Sequence, residues 1–300
     1  MLQKFNPKNK DLQIYVKDGI YHRDEAKVSV FDSIVQGGDG VWEGLRVYNG
    51  GVFMLDRHLN RLMNSAKAMH FANIPTREEV TKALFDTLKA NEMTDGVHVR
   101  LTLTRGEKVT SGMDPRLNDM GCTLIIVPEY KAPVYDNESG ISIVTSSTRR
   151  NSPNNLDSKI HHNNLINNIL AKIESNVAGA DAALMLDNYG FAAELNGTNV
   201  FIAKEGILYT PHADACLPGI TRGLVIELAH ENNIECIEKN ISLTEMYSAD
   251  EVFSTGTMGE LTPVKMIDGR AIENYNNTDL TKRLTKAFES KVAMYCVPIS

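Results

Sequence analysis

One lysine of this chain, Lys159, stands where its amine can be aimed at a ligand. It follows a turn-rich segment, 150–158, and precedes a run with helical apolar spacing that begins at Ile160. A lysine packed on both sides and drawn partly out of water loses proton affinity, because burial disfavours the charged form, and becomes a nucleophile towards carbonyl carbon. Lys159 is therefore a candidate for Schiff-base chemistry, against the alternative of a solvated surface lysine.

Two segments rich in small residues are candidates for binding an anionic group. In the first, 217–222, Gly219 precedes a helical pattern and Thr221 adds a hydroxyl, so that helix N-terminal amides can face a phosphate. In the second, 254–260, threonines and glycines follow an apolar strand end. The alternatives are an ordinary βα turn capped by Thr221 and a surface turn that uses glycine.

Two charged residues complete the candidate set. Glu194 lies among small residues and can approach the cationic nitrogen of a ligand. Arg61 lies between Leu59 and Leu62 of a predicted helix, where it can bind a phosphate bidentately or pack its stem beside the apolar face. An amine, a carboxylate, an arginine and two anion-binding loops together meet the needs of a phosphorylated aldehyde cofactor.

The composition describes a globular protein and excludes several classes of function. The chain has 300 residues, 42% hydrophobic and 23% charged, enough for one large or two medium domains. A net charge of −7 without a basic stripe argues against nucleic acid. The four cysteines lie far apart without metal-ligand spacing, which predicts reduced thiols and no metal. Because no signal segment or membrane-length apolar run is present, we expect a cytoplasmic protein with no membrane partner.

The elements that must position these residues mix helices and strands. Strands are predicted at 13–16, 28–31, 97–103 and 122–127, and helices at 55–68 and after a capping box at Thr76. Prolines between 128 and 135 predict a small N-terminal domain at 1–128, a linker at 129–137 and a large C-terminal domain at 138–300. There we expect strands at 141–145 and 182–186, a hairpin at 199–209, and helices after Lys159, at 221–230 and at 281–295. The class is α/β or α+β.

These segments occur in the order, and at nearly the spacing, of the class IV pyridoxal-phosphate aminotransferases. The chain resembles the branched-chain aminotransferase group most, with features of the related D-amino-acid transaminases and aminodeoxychorismate lyases, and the resemblance covers essentially its whole length. The segments that carry it are Trp42-Glu43-Gly44-Leu45-Arg46, His58-Leu59-Asn60-Arg61-Leu62, Lys159, Glu194 through Phe201, Leu217 to Arg222, and Ser254 to Thr257 with Glu260 to Val264.

The resemblance implies a fold type IV enzyme with a small and a large α/β domain, assembled as a homodimer or higher homo-oligomer. Lys159 would form the Schiff base with pyridoxal 5′-phosphate and shuttle the proton between Cα and C4′, and Glu194 would pair with the pyridine nitrogen. The residues implied to hold the phosphate and the ring are Arg61, Leu217, Ile220, Thr221 and Thr257.

Several positions depart from the usual pattern and concern the substrate. Branched-chain enzymes usually carry tyrosine where this chain has Gly37 and Asn164, and tyrosine two residues before the strand arginine, Arg100, where it has His98. Extra arginines at 105 and 116 would clamp a carboxylate or be solvated loop charges. The candidate substrate-binding residues are Trp42 (usually phenylalanine), Gly44, His98, Arg100, Arg105 and Met258.

The implied activity is transfer of an amino group from a branched-chain L-amino acid to 2-oxoglutarate, in a ping-pong aldimine and ketimine mechanism. A D-amino-acid transaminase, an (R)-amine transaminase and an aminodeoxychorismate lyase on the same site remain alternatives. A non-catalytic binding protein on the same fold is a further one, against which the presence of Lys159, Glu194, Arg61 and Thr257 argues.

Overall fold

The computed structural model describes residues 3–272 and 279–300, which group into two compact units. The N-terminal unit comprises Lys4–Ala132, Ile160–Asn164 and Val292–Ser300. The C-terminal unit comprises Pro133–Lys159 and the described part of Leu165–Lys291. The chain thus enters the C-terminal unit at Pro133, inside the segment predicted as a linker, and returns to the N-terminal unit twice. The domain limits 1–128 and 138–300 remain a proposal.

An antiparallel sheet forms the centre of the N-terminal unit, with strand order β16-β4-β3-β5-β6-β1-β2. Helices α1, α2 and α3 connect its strands. The elements are β1 (Gln13–Val16), β2 (Gly19–His22), α1 (Ser33–Gly37), β3 (Gly40–Tyr48), β4 (Gly51–Phe53), α2 (Leu55–Ala68), α3 (Arg77–Ala90), β5 (Val97–Thr104), β6 (Thr123–Tyr130) and β16 (Cys296–Pro298).

The alternation of apolar and polar side chains along β5 determines which face of this sheet packs into the core. Val97, Val99 and Leu101 are fully buried, as the period-two pattern predicts, and helix α2 adds its own buried leucines to the same cluster. The predicted capping box is confirmed, because the Thr76 side chain accepts from the Glu79 amide and the Glu79 carboxylate accepts from the Thr76 amide. His98 and Arg100 consequently lie on the opposite face of β5.

A mixed sheet forms the centre of the C-terminal unit, with strand order β12-β11-β10-β13-β14-β7-β8-β9 and β15 beside β14. Its core is built from the inward faces of these strands. The elements are β7 (Ile141–Thr145), α4 (Ile166–Val177), β8 (Ala182–Leu186), β9 (Ala192–Leu195), β10 (Asn199–Lys204), β11 (Ile207–Thr210), α5 (Ile220–Glu231), β12 (Cys236–Glu238), α6 (Leu243–Tyr247), β13 (Glu251–Gly256), β14 (Glu260–Ile267), β15 (Arg270–Ala271) and α7 (Asp279–Lys291).

Three predicted elements are wrong in part. No strand forms at 28–31, where a turn joins the Asp32 amide to the Ser29 carbonyl at 3.0 Å. The helix after Lys159 begins only at Ile166, because the preceding backbone pairs with β3 instead: Trp42 N donates to His161 O, and Asn163 N to Gly40 O, each at 2.9 Å. The last helix ends at Lys291, and the residues after it supply β16.

Candidate active site

Lys159 lies in a turn of the C-terminal unit, held by the acidic residue two positions before it. Its backbone amide donates to Asp157 Oδ1 at 2.9 Å, and its Nζ lies 3.9 Å from the same oxygen. The side chain is 45% exposed, so packing within the chain does not draw it out of water as the sequence argument expected. The amine is accessible to a carbonyl ligand, and any desolvation must come from what binds there.

Glu194 is a buried carboxylate of this unit that accepts several hydrogen bonds. It lies on β9, only 5% exposed, and accepts from Arg150 Nε at 2.5 Å. Its second oxygen accepts from Asn199 Nδ2 at 3.2 Å and from the Leu217 amide at 3.3 Å. A buried carboxylate is tolerated when it is paired and hydrogen-bonded, and these contacts hold Glu194 in a defined orientation.

The first predicted anion loop is the N-terminus of α5. Gly219 is the N-cap, and among the described residues no side chain caps it. Thr221 as an ordinary cap is therefore wrong: it lies inside the first turn and is 4% exposed. The amides of Ile220 and Thr221 stand at the positive end of the helix dipole, where an anion is favoured. A Cβ at 219 would lie 2.0 Å from Asn199 Oδ1, so glycine permits this close approach.

The second predicted loop, 254–260, comprises the end of β13, a turn and the first residue of β14, and it meets the first loop at Asn199. Asn199 is the register partner of Thr255, and its side-chain amide donates to the Leu217 carbonyl at 2.9 Å. Thr255 Oγ1 is buried and has no hydrogen-bond partner among the described residues. Thr257 follows in the turn towards β14 and is half-buried. The alternative of a surface turn is confirmed at 257–259, but neither Gly256 nor Gly259 takes a positive φ there, so its use of glycine for left-handed dihedrals is wrong.

Cys216 shows that these groups share one electrostatic neighbourhood. Burial, reinforced by the charge of Glu194 and opposed by Arg222, Arg150 and Lys159, raises the pKa of its thiol to about 12. All four cysteines are free, and this one is an unreactive thiol beside Leu217. The charges of Lys159 and Glu194 thus both affect the pKa of the same buried sulfur atom, Cys216 Sγ.

Arg61 belongs to the N-terminal unit, where Glu43 binds it. The fully buried carboxylate of Glu43 accepts from Arg61 Nε at 2.8 Å and from Nη2 at 2.7 Å. Burial would raise the pKa of Glu43, but the charge of Arg61, together with the hydrogen bonds of Arg61 and His161, holds it well below its ordinary value. The predicted contact of Arg61 with a phosphate stays a prediction.

Two imidazoles complete the Glu43 cluster. His58 Nδ1 lies 2.7 Å and His161 Nδ1 3.3 Å from its carboxylate oxygens. Burial lowers the pKa of His58 and lowers that of His161 to about 4, so both rings are neutral and each donates its Nδ1–H to the carboxylate. Arg61 pairs with Glu43 directly, and Arg100 adds a second positive charge that interacts with this carboxylate.

Four predicted substrate residues lie together on the β3 and β5 face of the N-terminal unit. The Arg100 guanidinium carbon lies 3.4 Å from the centroid of the Trp42 ring, and a Cβ at Gly44 would lie 3.1 Å from His98 Nε2. His98 Nδ1 and the Nε of Arg46 are buried without a hydrogen-bond partner among the described residues. This face offers cations and unpaired polar atoms to an anionic ligand.

The other substrate candidates have different surroundings. Arg105 pairs with Asp39, Nε to Oδ2 at 2.6 Å, and also donates to the carbonyls of His70 and Met69. Its side chain is 12% exposed, so it is not a solvated loop charge, and binding a substrate would have to compete with these bonds. Arg116, by contrast, is 89% exposed and is a solvated charge beside Asp114. In the C-terminal unit the Met258 carbonyl accepts from Val134 N at 3.0 Å.

Sequence reasoning missed three residues that hold these clusters together: Arg150, Asn199 and Glu43. Arg150 is the first residue of the turn-rich segment before Lys159, and this position was a usable signal for Arg150. A lone glutamate inside an apolar strand pattern was the corresponding signal for Glu43, since such a charge needs a buried partner. For Asn199 there was no sequence signal beyond its position at the start of a strand.

Other kinds of site find little support in the described part of the chain. Across residues 3–272 and 279–300 no group of three or more potential metal ligands comes together. No helix in these same ranges is long and apolar enough to cross a membrane.

Comparisons with known proteins agree on one family. A family model described as amino-transferase class IV matches residues 40–267. A branched-chain-amino-acid aminotransferase-like protein 2 of Arabidopsis thaliana is 59% identical over 98% of this chain, which spans about half (52%) of that protein's length. A putative branched-chain-amino-acid aminotransferase of Methanocaldococcus jannaschii is 41% identical over 93% of this chain and 96% of its own. A solved T.th. branched-chain amino acid aminotransferase, complexed with N-(5′-phosphopyridoxyl)-L-glutamate, superposes with a TM-score of 0.90 at 30% identity, covering 97% of this chain and 99% of its own.

Proposed function

Because the chain belongs to the class IV aminotransferases, a pyridoxal-phosphate-dependent family of fold type IV, we propose that it is a transaminase. It moves an amino group from a branched-chain L-amino acid to 2-oxoglutarate and works as a homo-oligomer in the cytoplasm. The observation that carries the proposal is the buried carboxylate of Glu194, held by Arg150, Asn199 and the Leu217 amide in the electrostatic neighbourhood of Lys159.

The C-terminal unit has groups that fit pyridoxal 5′-phosphate. A phosphate suits the amides at Ile220 and Thr221, which no side chain caps among the described residues, and Thr255 Oγ1 is a buried hydroxyl still in need of a partner. Thr257 follows directly in the chain. The Leu217 amide donates to Glu194, and Leu217 closely precedes α5 in the chain, which supports its assignment to the ring.

The chemistry divides between the cofactor and three side chains. When bound, the cofactor supplies an electron sink for the charge that develops at the substrate Cα. Glu194 would provide a fixed negative charge for the ring nitrogen, and Arg150 holds that carboxylate in place. Lys159 would hold the cofactor through Nζ and, once released from it, would hold and return the proton taken from the substrate Cα.

The β3 and β5 face of the N-terminal unit suits a substrate carboxylate. Arg100, and the unpaired Nε of Arg46, offer donors, while the Trp42 ring limits the space beside them. A solved relative holds a glutamate-derived ligand, which supports a glutamate and 2-oxoglutarate pair here. Gly44 leaves space beside the His98 ring, because it has no side chain. Arg105 and Met258 are lower-priority candidates for contact with the substrate.

The decisive residue test is Lys159→Ala, compared with Lys282→Ala on the exposed side of α7. Purified wild type and Lys282→Ala, given the cofactor, should show a visible absorbance band that borohydride removes. Lys159→Ala should show no such band and at least about a 1,000-fold loss of turnover, since the covalent route is gone. A Lys159→Ala variant with wild-type turnover would contradict the assignment of Lys159 as the residue that binds the cofactor covalently.

The substrate is tested by single half-reactions, read as loss of the same band. We expect L-leucine, L-valine and L-glutamate to react, and D-alanine, D-glutamate and an (R)-amine to leave the band unchanged. A response to D-substrates alone would make the branched-chain assignment wrong. Pyruvate release from aminodeoxychorismate without an amino acceptor would instead indicate a lyase.

A further inference from the structure

A closed ring of three hydrogen bonds joins Glu194 to the segment that leads into α5. Asn199, the first residue of β10, is 5% exposed and supplies two of the three bonds. Its Nδ2 donates to Glu194 Oε2 at 3.2 Å and to the Leu217 carbonyl at 2.9 Å. The Leu217 amide donates to the same Glu194 oxygen at 3.3 Å, which closes the ring. Because each member is bonded to the other two, a displacement of one weakens the contacts of all three.

The partners of Asn199 determine which way its side-chain amide faces. A carbonyl oxygen and a carboxylate oxygen accept hydrogen bonds, so the NH2 group must face Leu217 and Glu194. The amide oxygen, Oδ1, therefore faces Gly219. A Cβ placed on Gly219 would lie 2.0 Å from this oxygen, closer than a side-chain atom can approach. Asn199 thus packs against the N-cap of α5 with its oxygen while it holds Glu194 with its nitrogen.

The two ends of the proposed cofactor site are consequently connected through one side chain. The amides that follow Gly219 are assigned to the phosphate, and Glu194 is assigned to the ring nitrogen. Both groups belong to one small molecule, so the helix terminus and the carboxylate must stand at a defined separation. At a site of this kind a displacement of about 1 Å can cost about 100-fold in rate.

We propose that Asn199 is a positioning residue that sets this separation and transmits a displacement of the α5 terminus to Glu194. The proposal deepens the proposed function and rests on its assignment of Glu194 and of α5 to the cofactor. The backbone of Asn199 is placed independently, by its pairing with Thr255 of β13, which needs no side chain. A change of the side chain therefore acts on the ring of hydrogen bonds and leaves the strand in place.

The first variant, Asn199→Ala, removes two bonds of the ring. Each full-length protein is titrated with pyridoxal 5′-phosphate, and the visible absorbance band gives the dissociation constant of the cofactor and the pH midpoint of the band. We expect the dissociation constant to rise at least about tenfold, because contacts at both ends are displaced. The midpoint should rise at least about half a pH unit, since a less firmly paired ring nitrogen leaves the nitrogen that joins Lys159 to the cofactor more basic. Asn240→Ala, at an exposed position of the same unit, should match the wild type in both quantities.

The second variant, Gly219→Ala, disturbs the same contacts without changing Asn199. The φ at Gly219 is −62°, which suits alanine, so the added methyl group acts mainly by displacing Asn199 Oδ1. We expect both quantities to rise in the wild-type background. When residue 199 is already alanine, Gly219→Ala should change the dissociation constant less than about threefold, because the cost of alanine at the N-cap cancels in such a cycle only if the two sites are coupled through the asparagine. Gly223→Ala on the same helix is the control, since a Cβ there would meet nothing within 4 Å among the described residues.

The outcomes separate this proposal from the proposed function. An unchanged pH midpoint in Asn199→Ala, or a loss from Gly219→Ala that is equal in both backgrounds, would overturn the positioning role alone. If Asn199→Ala does not fold, Gly219→Ala decides by itself: a pH midpoint above that of Gly223→Ala supports the proposal, and an equal one overturns it. A wild type without the visible band would contradict the proposed function and this proposal together.

Discussion

At the residue scale, the site depends on buried charges that are paired before any ligand arrives. Glu194 with Arg150, and Glu43 with Arg61, each place a carboxylate in the interior against one guanidinium. Removing one partner of such a pair leaves an uncompensated charge, which costs about 3–5 kcal/mol. Tests of function at these positions must therefore keep the hydrogen bond while changing the charge.

Glu194→Gln meets that requirement. The amide oxygen can still accept from Arg150, but the arginine charge is left unbalanced. In the proposed site, that charge would lie near the ring nitrogen and would weaken the electron sink. We expect kcat to fall about 100-fold or more while the cofactor dissociation constant changes less than about tenfold. Steady-state kinetics and a cofactor titration measure the two, with exposed Glu235→Gln as control. Equal losses in both quantities would assign Glu194 to binding alone.

At the element scale, backbone hydrogen bonds decide where helices and strands end. The segment 160–164 has the composition of a helix start, yet its backbone pairs with β3, and α4 is delayed to Ile166. The loop after β5 depends in the same way on Gly106, whose carbonyl accepts from the Ser33 amide and from Asn118 Nδ2. Its φ is +103°, and a Cβ there would lie 1.8 Å from the Gly121 carbonyl oxygen.

Gly106→Ala should therefore destabilise the fold by more than about 3 kcal/mol, because the positive φ and the backbone clash act together. Gly121→Ala is the matched control: its φ is +78°, but a Cβ would meet nothing within 4 Å among the described residues. For it we expect about 1–2 kcal/mol, from the dihedral alone. Urea unfolding of both variants measures the difference. Coinciding midpoints would show that the loop moves to relieve the clash.

At the scale of the whole molecule, buried neutral histidines link stability to pH. Burial, with the charges of Lys131, Arg46 and Arg100, lowers the pKa of His98 from 6.5 to about 3. Burial likewise lowers the pKa of His161 to about 4. Between pH 6.5 and these values the unfolded chain binds protons that the folded chain does not. Stability is thus fully present above about pH 6.5 and is lost as pH falls.

His98→Asn should reduce that loss. One histidine contributes about 1.4 kcal/mol per pH unit, so between about pH 6 and pH 5 the variant should lose about that much less unfolding free energy than the wild type. Urea unfolding at the two pH values measures the slope. His212→Asn, at an exposed position, should leave it unchanged. An unaltered slope in His98→Asn would mean that its ring is protonated in the fold.

Much of this organisation was determined by the sequence alone, because its signals are local. Period-two burial along β5, the capping box at Thr76 and the glycine before α5 were predicted within a few residues of where they occur. The mixed α/β class and the family also followed from ordered segments. Lys159 and Glu194 were also candidate site residues on the basis of the sequence alone.

Only the tertiary structure decided which residues meet. Arg150 and Glu194 are 44 residues apart in the chain, and Glu43 and His161 are 118 apart, so neither pair has a local signature. The late start of α4 likewise depends on β3, which pairs with the backbone that precedes the helix. The outward direction of its apolar residues depends on the polar groups of the helix that bond to the rest of the unit. Periodicity reports that a helix has two faces, but the rest of the fold determines which of them turns inward.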